Sequence, residues 1–351
     1  MSGFGKYVTI RNKSFSFLIS KKAMLVTLIL LLAVILMMII STGIGSIYIK
    51  PLEVVRAVFG YGAESSPSTM IVRSLRLPRV IVAVLIGASL GVAGAILQGI
   101  VRNPLTSPET IGTTGGATLG AVSFFFFFSN KISIHFLPVA AVLGAFMATL
   151  LVYLLSWKRG ITPLRLVLIG TGLTAAMSAV TYLLLLSGPI VLANQSLTFM
   201  TGSIYGVSWT KAVYPLLPWV LVLIPVIFLY ARHITVQSLG EDIASSVGSR
   251  VQRQRFLLIM LSVALSGAAV AFGGAINFIG LMAPHISRRL VGPSFGALIP
   301  VSALTGSLLL LLADLAGRFI FKPHDIPAGV FTAAIGAPIF IYVLYRSRNR
   351  G

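Results

Sequence analysis

Few residues in this sequence can do chemistry. Its 351 residues include seven Asp and Glu, four His and no Cys. Without cysteine there is no disulfide, no thiolate nucleophile and no zinc–thiolate site. His285 has neither a second His nor a carboxylate nearby in sequence, so the metal expectation is none. No G-x-x-x-x-G-K-[ST] phosphate loop occurs, so the chain does not hydrolyse ATP itself. Of the seven acids only Asp314 falls at the end of an apolar span, and the rest lie in connecting segments. Ion-coupled carriers usually hold ionisable groups at mid-membrane, so secondary transport is disfavoured and an external energy source is needed unless transport is passive. A membrane-embedded enzyme would need a polar catalytic cluster, and none is found. Two acids stand side by side, Glu241 and Asp242, within Ser238–Gly248, SLGEDIASSVG. There Ser238 could cap a short helix, and Ile243 and Val247, four apart, share one face. That pattern suits a short amphipathic helix pressed against another protein; the alternative is a solvated turn.

The elements that would position these residues are membrane spans. Hydrophobic residues make up 57% of the chain and charged residues 10%, against about a quarter charged in soluble domains. A bilayer core takes about 20 apolar residues per helix. Such stretches run over 23–40, 80–100, about 113–128, 136–157, 164–186, 212–230, 256–272, 297–315 and 330–345, with a short Gly- and Pro-bearing one at 276–286. The expectation is an all-α polytopic membrane protein of about ten transmembrane helices. Gly87, Gly91 and Gly94 on the second span, and Gly115, Gly116 and Gly120 on the third, permit close helix approach.

The net charge of +20 would point to nucleic acid in a soluble chain. Here the cations orient the spans instead, and no nucleic-acid partner is expected. With ten crossings, 18 of the 27 Lys and Arg fall on the cytoplasmic side: Lys6, Arg11, Lys13, Lys21 and Lys22 before the first span, then Arg102, Lys158, Arg159, Arg165, Arg232, Arg250, Arg253, Arg255, Arg288, Arg289, Arg346, Arg348 and Arg350. Nine fall outside, among them Arg73, Arg76 and Arg79 around LRLPR. These outer cations read either as interfacial snorkelling or as a docking patch for an acidic soluble partner. Pro78 suits the first turn of the second span. RNPLTSPETIG, Arg102–Gly112, reads as a structured turn, with Glu109 favoured at the N-terminus of the third helix.

In order along the chain, LRLPRV, RNPLTSPETIG followed by GGA, SLGEDIASSVG, GGAINFIGLMAPHISRRLVG, LLADLAGR and IPAGVFTAAIGAPIFIYVLYR resemble the permease subunits of iron-siderophore and vitamin B12 ABC importers, over roughly residues 25–346. The ordered set of six motifs makes the resemblance specific. It implies ten helices per subunit and a second permease subunit, identical or paralogous. It also implies two cytoplasmic ATPase subunits, an extracytoplasmic substrate-binding protein, no cofactor, and a bacterial cell membrane with both termini cytoplasmic.

The domain organisation that follows is a cytoplasmic segment 1–22 and a single permease domain 23–346 containing a coupling loop 231–255. The resemblance assigns Arg76, Arg79 and Arg318 to salt bridges with glutamates of the binding protein. It assigns Ser238, Gly240, Glu241, Asp242, Ala244 and Gly248 to coupling with the ATPase. Pro163 and Leu164 fall at the cytoplasmic gate before the fifth span, where the vitamin B12 relative has small hydroxyl residues. Asn103, Pro104, Pro108, Pro284 and His285 belong to its structural motifs. The expected cargo is a ferric siderophore, with vitamin B12 or haem as alternatives within the family and ATP-independent secondary transport as the rival from a different class.

Overall fold

Inside a bilayer every backbone N–H and C=O must find its partner within the protein, which favours helices over all other spanning structures. The computed structural model describes residues 7–12, 15–45, 47–60, 66–129, 131–158, 160–321 and 324–348. Lys6, Lys13, Glu64, Arg159, Lys322 and Arg350 lie outside the described residues. A β-hairpin, absent from the sequence expectation, opens the chain: β1 (Tyr7–Asn12) pairs antiparallel with β2 (Phe15–Ser20). Everything after it is helical or connecting. α1 (Lys21–Gly43) is capped by the Ser20 hydroxyl, which accepts from the Ala23 N–H at 3.0 Å. The chain continues through α2 (Pro51–Phe59), α3 (Pro67–Met70), α4 (Leu77–Val101), α5 (Thr113–Phe127), α6 (Leu137–Leu155) and α7 (Pro163–Ser187). It then runs through α8 (Ile190–Thr201), α9 (Tyr214–Leu229), α10 (Ala231–Ser238), α11 (Glu241–Ser246), α12 (Val251–Gly273), α13 (Ile279–Val291), α14 (Phe295–Phe319) and α15 (Ala328–Arg348).

Seven helices among the described residues are long and apolar enough to cross a bilayer core, and Thr113–Phe127 and Ala328–Ile341 are shorter apolar ones. With α13 at the place of the short crossing, the ten expected spans each have a helix. The second span differs at its start. A single helix runs Pro67–Val101, with a wide π-helical turn over Ile71–Arg76 just before Pro78. Proline has no N–H to donate and its ring crowds the carbonyl four residues back. The widened turn accommodates both, so Pro78 sits inside a continuous helix instead of starting one. The true start is Pro67, capped by the Ser66 hydroxyl. α8 was not expected; it follows Pro189 directly after α7.

Burial ranks the helices. In the most apolar window of the Pro67–Val101 helix 89% of residues are buried, against 11% for α1. α4 is therefore the central post, while α1 turns Leu25, Leu28, Leu32 and Leu36 outward, a surface only lipid or another apolar partner tolerates. Small residues set how closely the post is packed. A Cβ on Gly87 would run into the Gly306 carbonyl of α14, and one on Gly94 into the Gly280 carbonyl of α13. Gly116 and Gly120 of α5 meet Gly144 and Ala140 of α6 in the same way. With no lipid-exclusion drive between apolar helices, such backbone contact is a main source of their association.

Candidate functional site

At one end of the bundle three arginines gather around the end of α1. Arg76 is buried, and its guanidinium donates to the Thr42 and Gly43 carbonyls at 3.0 Å each and to the Ile47 carbonyl at 2.6 Å. Helix α1 ends with orphan carbonyls and the negative end of its dipole, and Arg76 satisfies both. Arg318, near the end of α14, donates to the carbonyls of Ser41 and Ile44 and to the Ser41 hydroxyl. Between Arg79 and Arg318 lies Asp314, which has no solvent exposure; it pairs with Arg79 at 2.7 Å and with Arg318 at 3.1 Å. Arg79 also holds Asp325, in the connection to α15, through two hydrogen bonds of 2.5 and 2.9 Å, and its guanidinium lies 5.9 Å from the centre of the Tyr205 ring. A carboxylate buried this deeply is tolerable only with opposite charge beside it. Arg76, Arg79 and Arg318, expected to meet glutamates of a binding protein, are thus each engaged within the chain. Among the described residues, the cations that stay exposed at this end are Lys50, Arg56, Lys131 and Lys211. Sequence reading missed the network because Arg79 and Asp314 are 235 residues apart.

At the other end, α10 and α11 lie within the segment 231–255. Ser238 does not cap α11. It is the last residue of α10, and its hydroxyl donates to the Thr235 carbonyl at 2.7 Å. The residue before α11 is Gly240, at φ 134°, and Gly248 after it has φ 80°. Both are backbone conformations that favour glycine, which is why a six-residue helix can start and stop so abruptly. Ala244 is buried, Ile243 and Val247 stay exposed on one face, and Glu241 and Asp242 occupy the first turn, where negative charge is favoured. Glu241 is ion-paired with Arg255 of α12. The Gln254 side chain accepts from the Ser249 hydroxyl and from the Gln237 amide, and its own amide lies 3.1 Å from His233 Nδ1.

Between the two ends, the segment after α4 folds back into the bundle. The Asn103 side chain accepts from the Leu105 N–H at 2.9 Å, Pro104 is exposed, and Pro108 is buried against Gly280. Glu109 does not serve α5, as its position suggested. Its carboxylate accepts from the Phe278 N–H at 3.1 Å, immediately before α13. Glu109, Thr114 and Thr118 line a cavity of about 410 Å³ together with Thr174 and Ser178 of α7 and Asn277. Pro284 is buried inside α13. The Nε2 of His285 is buried without a hydrogen-bond partner. Among the described residues no group of three or more His, Cys, Asp or Glu could hold a metal ion. Pro163 is the first residue of α7 and Leu164 is exposed.

Comparison with known proteins gives this geometry a family. The FecCD transport family model matches residues 30–346. The chain is 49% identical over 334 residues to the protein named "Probable siderophore transport system permease protein YfhA" of Bacillus subtilis (strain 168), covering 94% of this chain and 96% of that one. It is 44% identical over 312 residues to the achromobactin transport system permease protein CbrC of Dickeya dadantii (strain 3937), covering 89% and 88%. Among solved structures it resembles an inward-facing conformation of a metal-chelate type ABC transporter, at TM-score 0.78 and 31% identity, covering 92% of this chain and 99% of that one. The chain belongs to the FecCD transport family, whose members are multi-span membrane permeases of ABC importers and not themselves enzymes.

Proposed function

We propose that this chain is one of two permease subunits that carry ferric siderophores across a bacterial cell membrane. Two cytoplasmic ATPase subunits would power the pair, and an extracytoplasmic binding protein would deliver the cargo. The observation that carries the reading is the 49% identity, over nearly the whole chain, to a protein named as a siderophore transport permease, joined by a 44% identical permease for achromobactin. The cavity beside α7 supports it: threonine and serine hydroxyls are weak, neutral partners suited to an oxygen-rich cargo that must leave as readily as it enters. The clustering of Arg232, Arg250, Arg253, Arg288 and Arg289 around α10–α13 supports a cytoplasmic position for that end and, with an even number of spans, for both termini.

In this orientation α11 is the surface offered to the ATPase, with Ile243 and Val247 as its apolar contacts. The opposite end faces the binding protein. There the exposed Lys50, Arg56 and Lys211 attract an acidic docking surface, while Arg79 meets a partner carboxylate only in competition with Asp325. Exposed charges of this kind act mainly on orientation and association rate. The test of cargo is growth under iron limitation with single purified siderophores, comparing cells with and without the gene. Rescue by at least one ferric siderophore is expected; equal growth of both strains on every siderophore, with a difference on vitamin B12 or haem instead, refutes the cargo.

A further inference from the structure

We propose that Arg255 is the positioning residue that carries movement of α11 to the foot of α7. The inference rests on the functional reading above and names a part of its machinery. Arg255 sits near the start of α12, is 3% exposed, and reaches two segments with one guanidinium. Its Nη2 is paired with Glu241 of α11, and its Nη1 donates to the Ile161 carbonyl. The Ile161 N–H in turn donates to the Gln252 side chain of α12 at 3.4 Å, and the Ile161 side chain is buried. Both backbone groups of Ile161 are therefore held by α12, two residues before Pro163 opens α7.

The two ends of this link differ in freedom. α12 is well buried, with 72% of its apolar window inside the protein, and the figure for α7 is 22%. α11 is six residues long, flanked by two glycines at positive φ, and anchored by the Ala244 side chain and the Glu241 pair. A displacement of α11 thus has a pivot, α12, buried within the chain, and a helix, α7, that the rest of the chain covers little. α7 carries Thr174, Ser178 and Thr181 into the cavity, so movement at its foot changes the cavity wall. Arginine suits the post because its planar fork presents N–H groups in fixed directions to two acceptors at once. A lysine ammonium carries the charge without that geometry.

The absence of cysteine from the native sequence makes the test direct. Leu164→Cys, at the exposed start of α7, takes a single environment-sensitive dye. The labelled permease is reconstituted in liposomes with its ATPase subunits and binding protein. ATP is expected to change the dye emission. Arg255→Gln should reduce that change, and the cargo moved per ATP hydrolysed, by about tenfold, the scale of a lost charge-assisted hydrogen bond. The ATPase should still co-purify and hydrolyse ATP. Arg255→Lys and Glu241→Gln, which keep a donor or an acceptor in place, should fall between. A wild-type dye response and a wild-type cargo-to-ATP ratio in Arg255→Gln overturn the proposal. If Arg255→Gln does not assemble, the same comparison is read from Arg255→Lys and Glu241→Gln: wild-type values in both overturn it, and a graded loss supports it. The dye response needs no siderophore. A labelled complex that answers ATP at position 164, when the unlabelled wild-type complex takes up no ferric siderophore, therefore refutes the cargo and leaves the relay standing.

Discussion

Replacing Asp314 with asparagine removes the one negative charge shared by Arg79 and Arg318. Asp314 has no solvent exposure and faces the two guanidinium groups at 2.7 and 3.1 Å. Each such pair is worth about 4 kcal/mol at 4 Å in a medium of effective dielectric near 20. Part of this is offset by the cost of burying the charges, and the asparagine side chain would still accept one hydrogen bond. Arg79 keeps Asp325, whereas Arg318 loses the carboxylate beside it. Breaking a buried pair by removing one partner costs about 3–5 kcal/mol, and that is the loss expected for Asp314→Asn. Asp325→Asn is the control. Its side chain is 26% exposed, water can replace it, and the expected loss is about 1–2 kcal/mol. The assay is unfolding in detergent micelles followed by tryptophan fluorescence. Trp209 donates to the Arg73 carbonyl at 2.8 Å on the helix that carries Arg79, which makes it a local reporter. Because Asp314 is shielded from solvent, the loss should persist at high salt. A loss for Asp314→Asn below about 1 kcal/mol, or no larger than that of Asp325→Asn, refutes the reasoning.

Three further outcomes follow from the packing and the charges. Gly94→Ala should cost about 1–3 kcal/mol by forcing α4 away from α13, while Gly172→Ala, where a Cβ meets nothing within 4 Å, should leave stability unchanged or raise it; equal thermal stability of the two variants would be the contrary result. Glu109→Leu should lose about 1–3 kcal/mol through the unpartnered Phe278 N–H, and Glu109→Gln, which keeps an acceptor, much less; the comparison is made by the same unfolding assay. Reversing Arg56 and Lys211 to Glu should slow binding-protein association and flatten its salt dependence without releasing the ATPase. Association measured by surface plasmon resonance at several salt concentrations checks this, and unchanged kinetics would count against that docking face.

The spans were legible because hydrophobicity sustained over about 20 residues has few structural outcomes. The glycines of α4 and α5 were legible as packing positions for a similar reason, since small residues in apolar helices have few other uses. What escaped the sequence depended on partners far away along the chain. Arg79 and Asp314 are 235 residues apart, and Glu109 and Phe278 are 169 apart; nothing local in LRLPR or SPETIG announces either contact. Ser238 shows the opposite failure. Its local signal was sound for a helix cap, but the hydroxyl bonds backward to Thr235 and the turn falls to Gly240. The start of the second span was misplaced because Pro78 normally opens a helix, and the π-helical turn that lets it sit inside one has no plain sequence sign. The segment 238–248 was singled out for Glu241 and Asp242, whereas the guanidinium that ties α11 to the Ile161 carbonyl stood unnoticed among the loop cations.

The most direct test of the account is uptake of ferric siderophore, labelled with radioactive iron, into proteoliposomes holding the permease pair, its ATPase subunits and a saturated binding protein. Accumulation is predicted with ATP and absent when ATP is omitted or replaced by a non-hydrolysable analogue. Accumulation of equal extent without ATP would contradict it.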